Sequence, residues 1–374
     1  MPRLRHLAHR IDDRLDAWRM HARRLSGRVG PARVQAHLGY GTPSCLRVSG
    51  HVVKGRADEP EPAPGAGLFS DLRATARRYI ERAIMGARLT LRHGDAEASV
   101  VTDSDGLFAA SLSVAPPESD DVGRIVWRSV EVTLDHVPGS RQPPQRSLAE
   151  VMTVPDGTRF GVISDIDDTV MDTGVADLRR NWRRAIGSDP QRRETFAGLP
   201  ELYRALALDE HGVQRQPIFY VSSASWGFHP LFARFLELRG IPAGPLLLKN
   251  YGLSREQWFA GSHALHKTRS IERLLETYPS LSFILVGDSG QHDAVIYRDI
   301  VANHPGRVLA VWIRDVSRLP GRRAEIEALV GELREAGIPA AFGAHLLVAA
   351  HEAADAGWID AAAVDAVRAA VLRT

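Results

Sequence analysis

The amino-terminal segment has the hydrophobic spacing of one amphipathic helix. Apolar residues recur at every third or fourth position from Leu4 to Leu25, which places them on one face of a helix. Residues 1–33 also contain nine arginines and three aspartates, a charge of about +6. We therefore predict a basic amphipathic helix over residues 1–35. It either docks on the protein itself or lies in an anionic membrane surface.

The following segment is typical of a small β domain. Apolar runs with partial alternation lie at residues 46–54, 88–91, 98–102, 107–114 and 125–135, with turn residues between them. Residues 69–85 have helical spacing instead. We predict a small β-sandwich over residues 44–150 with a helical insertion. Asp105-Gly106 further predicts a hairpin between the strands on either side of it.

The pattern of hydrophobic residues changes after residues 138–144, a proline-rich stretch that we interpret as a linker. Near-continuous apolar runs at residues 160–164, 218–221, 283–286 and 308–313 are typical of parallel strands buried on both faces. Helical patterns separate these runs, and others follow Gly321 and Trp358. The sequence therefore predicts an α/β domain over residues 151–374 with carboxyl-terminal helices.

The composition excludes several classes of protein. Hydrophobic residues make up 44% of the 374 positions and charged residues 25%, as in ordinary globular proteins. No apolar run reaches the roughly 20 residues of a membrane-spanning helix. Cys45 is the single cysteine, which excludes an internal disulfide and cysteine-rich metal sites. We expect a cytoplasmic protein that binds no nucleic acid and that contacts a membrane, if at all, peripherally.

Acidic residues follow two of the predicted parallel strands. Asp165 and Asp167 come at the end of the first strand, and Asp288 and Asp293 follow a later one. Carboxyl ends of parallel strands share one edge of a sheet, where ligands bind. Carboxylates gathered there repel each other unless a cation neutralises them, and Mg²⁺ fits such a small set of oxygen ligands.

Hydroxyl and ammonium groups accompany these carboxylates. Ser222 and Ser223 follow the strand at residues 218–221, and with Lys267 they suit a phosphoryl group. A carboxylate nucleophile, a neighbouring acid, a lysine and Mg²⁺ are the parts needed for phosphoryl transfer through an aspartyl-phosphate. Lys249 competes with Lys267. We favour Lys267 because it is predicted to open a helix, whose amino terminus favours phosphate. A solvated surface charge is the alternative for either lysine.

The quoted residues resemble the four motifs of the haloacid dehalogenase superfamily, and within it the App1 family of phosphatidate phosphatases. The resemblance spans about residues 154–316. It is carried by ISDIDDT at 163–169, YVSSASW at 220–226, GPLLLKNYG at 244–252, HK at 266–267, VGDSGQHDAVIY at 286–297 and IRDV at 313–316. One departure is Ser225, where we expect a proline before Trp226.

The resemblance implies a fold and a reaction. The fold is a Rossmannoid three-layer parallel sheet with a small cap or none, because only short segments separate the motifs. In the reaction Asp165 attacks phosphorus, and Asp167 protonates the leaving alcohol before acting as the base toward water. Ser222 and Lys267 hold the phosphoryl oxygens. Thr169, Ser223 and Lys249 are assigned to substrate or phosphate binding.

The resemblance also implies a metal site. Asp165, Asp288 and the backbone carbonyl of Asp167 are the expected Mg²⁺ ligands. Asp293 is expected to bind the ion through water or to orient Lys267.

The implied function is Mg²⁺-dependent hydrolysis of phosphatidate or a related phospholipid. One alternative is a phosphatase for another phosphomonoester, such as a soluble metabolite or a phosphoprotein. Another is an inactive module that binds membrane or phosphate, although no acid of the motif set is missing. Four aromatic residues either contact acyl chains or pack in the core: Trp226, Phe228, Trp258 and Phe259.

Overall fold

The structure is a computed structural model that describes residues 30–55, 83–116, 124–166, 197–249, 261–290, 292–316 and 321–373. Several predictions lie outside these residues. They are the helix over residues 1–29, most of the helical insertion, and the positions of Asp167, Thr169, Trp258 and Phe259.

Eight strands of the amino-terminal part form one sheet. They are β1 (Ala32–Ala36), β2 (Gly39–Thr42), β3 (Cys45–Lys54), β4 (Arg88–His93), β5 (Ala96–Val101), β6 (Leu107–Ser113), β7 (Val126–His136) and β8 (Gln145–Thr153). Their order is β1-β3-β2-β8-β7-β4-β5, with β6 paired to β3. All pairs are antiparallel except β2 with β8. Alternate residues of β7 face one apolar core, namely Val130, Val132 and Leu134, which explains the alternation in the sequence.

This sheet begins earlier and ends later than predicted. β1 and β2 precede residue 44, so a strand occupies the end of the helix predicted over residues 1–35. The supposed linker at residues 138–144 is instead the turn between β7 and β8, which pair with each other. Gly139 has a φ of 75° there, and Ser140 N donates to Val137 O at 3.0 Å. Prolines and glycines occur in turns and in linkers alike, so composition did not distinguish the two.

The hairpin predicted at Asp105-Gly106 is wrong, although a turn is present. Asp103 Oδ1 accepts hydrogen bonds from Asp105 N and Leu107 N at 2.9 Å each, and Gly106 has a φ of 71°. However, β5 pairs with β4 and β6 pairs with β3. The turn residues therefore identified a reversal of the chain but not the partner of each strand.

Six parallel strands form a second sheet, which confirms the α/β prediction. They are β9 (Gly161–Asp165), β10 (Ile218–Ser225), β11 (Leu246–Lys249), β12 (Phe283–Asp288), β13 (Val308–Arg314) and β14 (Ala340–Gly343). The order is β11-β10-β9-β12-β13-β14. The chain thus builds outward from β9 in one direction and then, from β12, in the other. Ligands in such sheets bind at the carboxyl edge where the direction changes.

Helices cover both faces of this sheet. They are α1 (Leu199–Ala207), α2 (His229–Leu238), α3 (Gly261–Thr277), α4 (Asp293–Asn303), α5 (Arg322–Glu335), α6 (Leu347–Asp355) and α7 (Ala361–Leu372). Val162 belongs to the core beneath α1, α2, α6 and α7, whereas Ile163 belongs to the core beneath α3, α4 and α5. Successive strand residues point to opposite faces, so both faces of β9 are buried. No helix in the described part of the chain is long and apolar enough to cross a membrane.

Candidate active site

Three aspartates meet at the carboxyl edge of the second sheet. Asp165 ends β9, Asp288 ends the adjacent β12, and Asp293 begins α4. Each is at most 1% exposed. One carboxylate oxygen of each lies within 4.8 Å of the others. The parallel pairing of β9 with β12 brings together residues that are far apart in the sequence.

Lys267 lies inside this acidic cluster. Its Nζ is 2.6 Å from Asp165 Oδ1 and 2.5 Å from Asp293 Oδ1, and the side chain is 3% exposed. Burial disfavours the charged ammonium, but the neighbouring Asp165, Asp293 and Asp288 outweigh it and raise the pKa of Lys267. The lysine is therefore protonated throughout the physiological range and acts as the counter-ion of the aspartates.

The reason given for favouring Lys267 is wrong, because Lys267 does not open its helix. α3 begins at Gly261, so Lys267 lies in its second turn. The ion pairs place Lys267 in the site, and the helix amino terminus plays no part in that. Lys249 ends β11, two strands away from β9. At 4% exposed, it is not a solvated surface charge either, and burial lowers its pKa.

Backbone groups hold the carboxylates that follow β12. Asp293 Oδ2 accepts a hydrogen bond from Asp288 N at 3.2 Å, and Gly290 N donates to Asp288 Oδ1 at 2.5 Å. Asp293 lies in the first turn of α4, where the helix dipole favours a negative charge. Backbone N–H groups at the end of β12 and just after it therefore donate hydrogen bonds to both carboxylates.

Gly287 is required by the close approach of Asp293. A Cβ at this position would lie 2.7 Å from Asp293 Oδ2 and 2.9 Å from the Tyr297 ring. Tyr297 is itself fixed, since its hydroxyl donates to Val286 O at 2.9 Å. A methyl group here would push the Asp293 carboxylate away from Lys267.

Sequence reasoning missed two residues that fix the backbone at Asp165. Ser164 Oγ donates to Asp165 O at 2.7 Å and lies 2.7 Å from Tyr203 OH. A serine hydroxyl has one proton, so Tyr203 donates to Ser164. Tyr203 is on α1, and burial raises its pKa. Nothing in the sequence pattern connects this tyrosine with the aspartate motif.

The two serines predicted to hold phosphate lie beside Asp165. β10 pairs with β9 up to Val221, opposite Asp165, so Ser222 and Ser223 follow at the same edge. They are 0% and 8% exposed, and Ser222 Oγ accepts a hydrogen bond from Ala224 N at 2.9 Å. The structure thus brings the second motif next to the first.

Ser225, the departure from the family pattern, keeps a conformation that proline also adopts. Its φ is −69°, close to the angle that a proline ring fixes. Its Oγ accepts a hydrogen bond from Gly227 N at 3.1 Å, at the start of the 3₁₀ turn Trp226–Phe228. The serine therefore replaces the stiffness of proline with a capping hydrogen bond.

The donor set fits a divalent cation with oxygen ligands. Asp165, Asp288 and Asp293 offer buried carboxylates, and Lys267 supplies one ammonium against the three. Buried charges without compensation are costly. Oxygen ligands of this type are those preferred by Mg²⁺.

We predict that Gly287→Ala destabilises the protein by roughly 1–3 kcal/mol, because the added methyl overpacks the site. The matched control is Gly331→Ala, since a Cβ at Gly331 within α5 has nothing within 4 Å. The control should be neutral or up to about 1 kcal/mol more stable, as expected for a helix interior. Urea unfolding measures both. Equal effects of the two changes would contradict the close approach at Gly287.

One solved structure shows only weak similarity to the chain. It is a carbohydrate acetylesterase from Xanthomonas citri, 10% identical, and the match covers 84% of this chain and 69% of that chain with a TM-score of 0.28. A score this low does not indicate a shared fold.

Sequence comparisons relate most of the second sheet to a known family. The chain is 31% identical over 211 residues to phosphatidate phosphatase APP1 of Saccharomyces cerevisiae, covering 55% of this chain and 35% of the yeast protein. It is 25% identical over 221 residues to an uncharacterized protein of Schizosaccharomyces pombe, covering 59% and 35% respectively. The chain thus spans about a third of the length of both relatives. Residues 160–315 match the family described as the catalytic domain of phosphatidate phosphatase APP1. In this segment, the chain is similar to the App1-type family.

Proposed function

We propose that this chain is a Mg²⁺-dependent phosphatase that releases phosphate from phosphatidate or a related phospholipid. The observation that carries the proposal is the buried cluster of Asp165, Asp288, Asp293 and Lys267. It lies within the segment matched to the APP1 catalytic domain. The lipid substrate is proposed from the yeast relative, whereas the carboxylates and the lysine support phosphoryl transfer in general.

Asp165 is the proposed nucleophile. Its ion pair with Lys267 favours the ionised carboxylate that nucleophilic attack requires. One carboxylate oxygen forms a bond to phosphorus while the bond from phosphorus to the ester oxygen breaks, which gives an aspartyl-phosphate. Asp167 donates its proton to the departing oxygen. It then accepts a proton from the water that attacks phosphorus, and phosphate and the Asp165 carboxylate are released.

Asp165, Asp288 and the backbone carbonyl of Asp167 are the proposed ligands of Mg²⁺. Bound there, the ion would offset negative charge on the phosphoryl oxygens. Asp293 is proposed to orient Lys267 or to contact the ion through water. Its contacts support the orienting role, since one oxygen pairs with Lys267 and the other accepts from Asp288 N.

The phosphoryl oxygens are proposed to bind Ser222 and Lys267. Both side chains are buried next to Asp165, so their hydrogen bonds would form in a site of low dielectric constant, where they are strong. Thr169, Ser223 and Lys249 are proposed to bind the substrate or its phosphate. Lys249 is suited to a second anionic group, because it lies at the end of β11 and not in the aspartate cluster.

We further propose the haloacid dehalogenase arrangement for the second sheet, with a small cap or none. The central position of β9, which carries the first motif, and helices on both faces support it. The first sheet, most of whose buried apolar residues form one core, is proposed to be a small β-sandwich. The basic segment before β1 is proposed to be an amphipathic helix that contacts anionic membrane from the cytoplasm.

The first test is phosphate release from phosphatidate vesicles, compared with release from soluble phosphomonoesters, with and without Mg²⁺. We expect wild-type release to need Mg²⁺ and Asp165→Asn to lose at least about a thousand-fold in kcat, since the nucleophile is removed. Asp365→Asn, which changes a mostly exposed carboxylate on α7, should retain full activity.

Three outcomes would overturn parts of this proposal. Appreciable turnover by Asp165→Asn would refute the nucleophile. Faster release from a soluble ester than from phosphatidate would favour another phosphomonoester as the substrate. No release from any substrate would favour a module that binds membrane or phosphate without catalysis.

The second test concerns the basic amino-terminal segment. β1 starts at Ala32, so a deletion of residues 1–29 leaves the first sheet complete. If the segment contacts lipid, the deletion should weaken sedimentation with anionic vesicles and spare turnover of a soluble ester, because it removes eight arginines and three aspartates, about +5 of charge, and none of the proposed catalytic residues. Unchanged vesicle binding would show that these arginines are only solvated.

A further inference from the structure

The segment that carries Ser222 and Ser223 is the irregular carboxyl end of β10. Pairing of β10 with β9 ends at Val221, and the register with β11 shifts between Val221 and Ser225. Within the segment, two short hydrogen bonds from Ala224 N and Gly227 N to serine hydroxyls fix the turn. A loop that must place phosphate ligands to a fraction of an ångström needs further support.

The first sheet supplies a side chain that packs against this segment. His37, in the connection between β1 and β2, stacks on the Trp226 ring with centroids 4.3 Å apart and planes 7° apart. The same imidazole lies 4.1 Å from the ring of His229, which begins α2. His37 therefore contacts the first residue of the 3₁₀ turn after the serines and the residue that follows the turn.

His37 is itself rigidly placed. Its backbone N donates to Ser49 O at 3.0 Å, and its Nε2 lies 3.2 Å from Nδ1 of His51 on β3. The side chain is 2% exposed. A fixed ring of the first sheet thus packs against the turn that follows β10 in the second sheet.

The three imidazoles favour stacking because they are neutral. Burial lowers the pKa of His37 well below its usual value, that of His51 to about 4 and that of His229 to about 3. Asp103 acts in the opposite direction on His51 but does not outweigh burial. Uncharged rings pack together without the repulsion that three imidazolium groups would suffer.

We propose that His37 is a positioning residue for the Ser222–Ser225 segment, so that the first sheet completes the catalytic site. His37 acts through Trp226 and His229 and touches no reacting group. The expected change in kcat rests on the proposed phosphatase function. The expected change in the structure of the segment does not, because it can be measured without turnover.

Three variants test the proposal. His37→Ala removes the stacking ring, His37→Phe keeps an aromatic ring, and Tyr40→Ala is the matched control. Tyr40 also joins the two sheets through aromatic contacts, with ring centroids 5.9 Å from Phe219 and 6.5 Å from Tyr278. It contacts the base of β10 and not the segment with the serines, so its loss should lower stability alone.

The first readout is hydrogen–deuterium exchange in peptides that report on residues 222–229 and leave out Phe219, followed by mass spectrometry. We expect faster exchange there in His37→Ala, wild-type exchange in Tyr40→Ala, and near wild-type exchange in His37→Phe. Unchanged exchange in His37→Ala, or equal acceleration in Tyr40→Ala, would overturn the proposal. This readout decides the matter even if the wild type shows no phosphatase activity, an outcome that would refute only the proposed function.

The second readout is steady-state turnover of a soluble phosphomonoester in the presence of Mg²⁺. His37→Ala should lower kcat about 10- to 100-fold, as expected when catalytic groups are displaced by about 1 Å. His37→Phe should restore most of the loss, and Tyr40→Ala should keep the wild-type kcat while unfolding at a lower temperature. A wild-type kcat in His37→Ala would contradict the positioning role.

Discussion

The electrostatic balance of the buried cluster is the constraint on which the site depends. Asp165, Asp288 and Asp293 are gathered where water is excluded, and Lys267 is ion-paired with two of them. Removing charges from water costs several kcal/mol each unless partners compensate. One ammonium against three carboxylates leaves the cluster with a net negative charge, so the chemistry of this edge favours a cation.

The local structure around the cluster follows from that constraint. Position 287 accommodates only glycine because the Asp293 side chain lies against it. Asp293 lies in the first turn of α4, where the helix dipole stabilises its carboxylate. Ser164 and Tyr203 fix the backbone of Asp165 from the opposite face of the sheet. The acids are thus placed by backbone and hydroxyl contacts from three separate elements, an arrangement that leaves little freedom for reorganisation during the reaction.

Much of this was predictable from the sequence, for identifiable reasons. Buried parallel strands are continuous apolar runs, so β9, β10 and β12 were recognisable, and their carboxyl ends share an edge. Pairing between distant segments was not predictable. Strands β1, β2, β11 and β14 were missed because runs of four or five residues show little periodicity, and β8 was missed because the proline-rich turn before it was interpreted as a linker. Contacts such as that of His37 with Trp226 join residues that no motif links.

The central claim is that the buried cluster is a site for one Mg²⁺ ion, and titration calorimetry with Mg²⁺ tests it most directly. We predict one binding event per chain in the wild-type protein, and at least about a ten-fold loss of affinity in Asp288→Asn, which replaces one carboxylate by an amide of similar shape. Absence of binding by the wild type, or equal affinity in Asp288→Asn, would contradict the account.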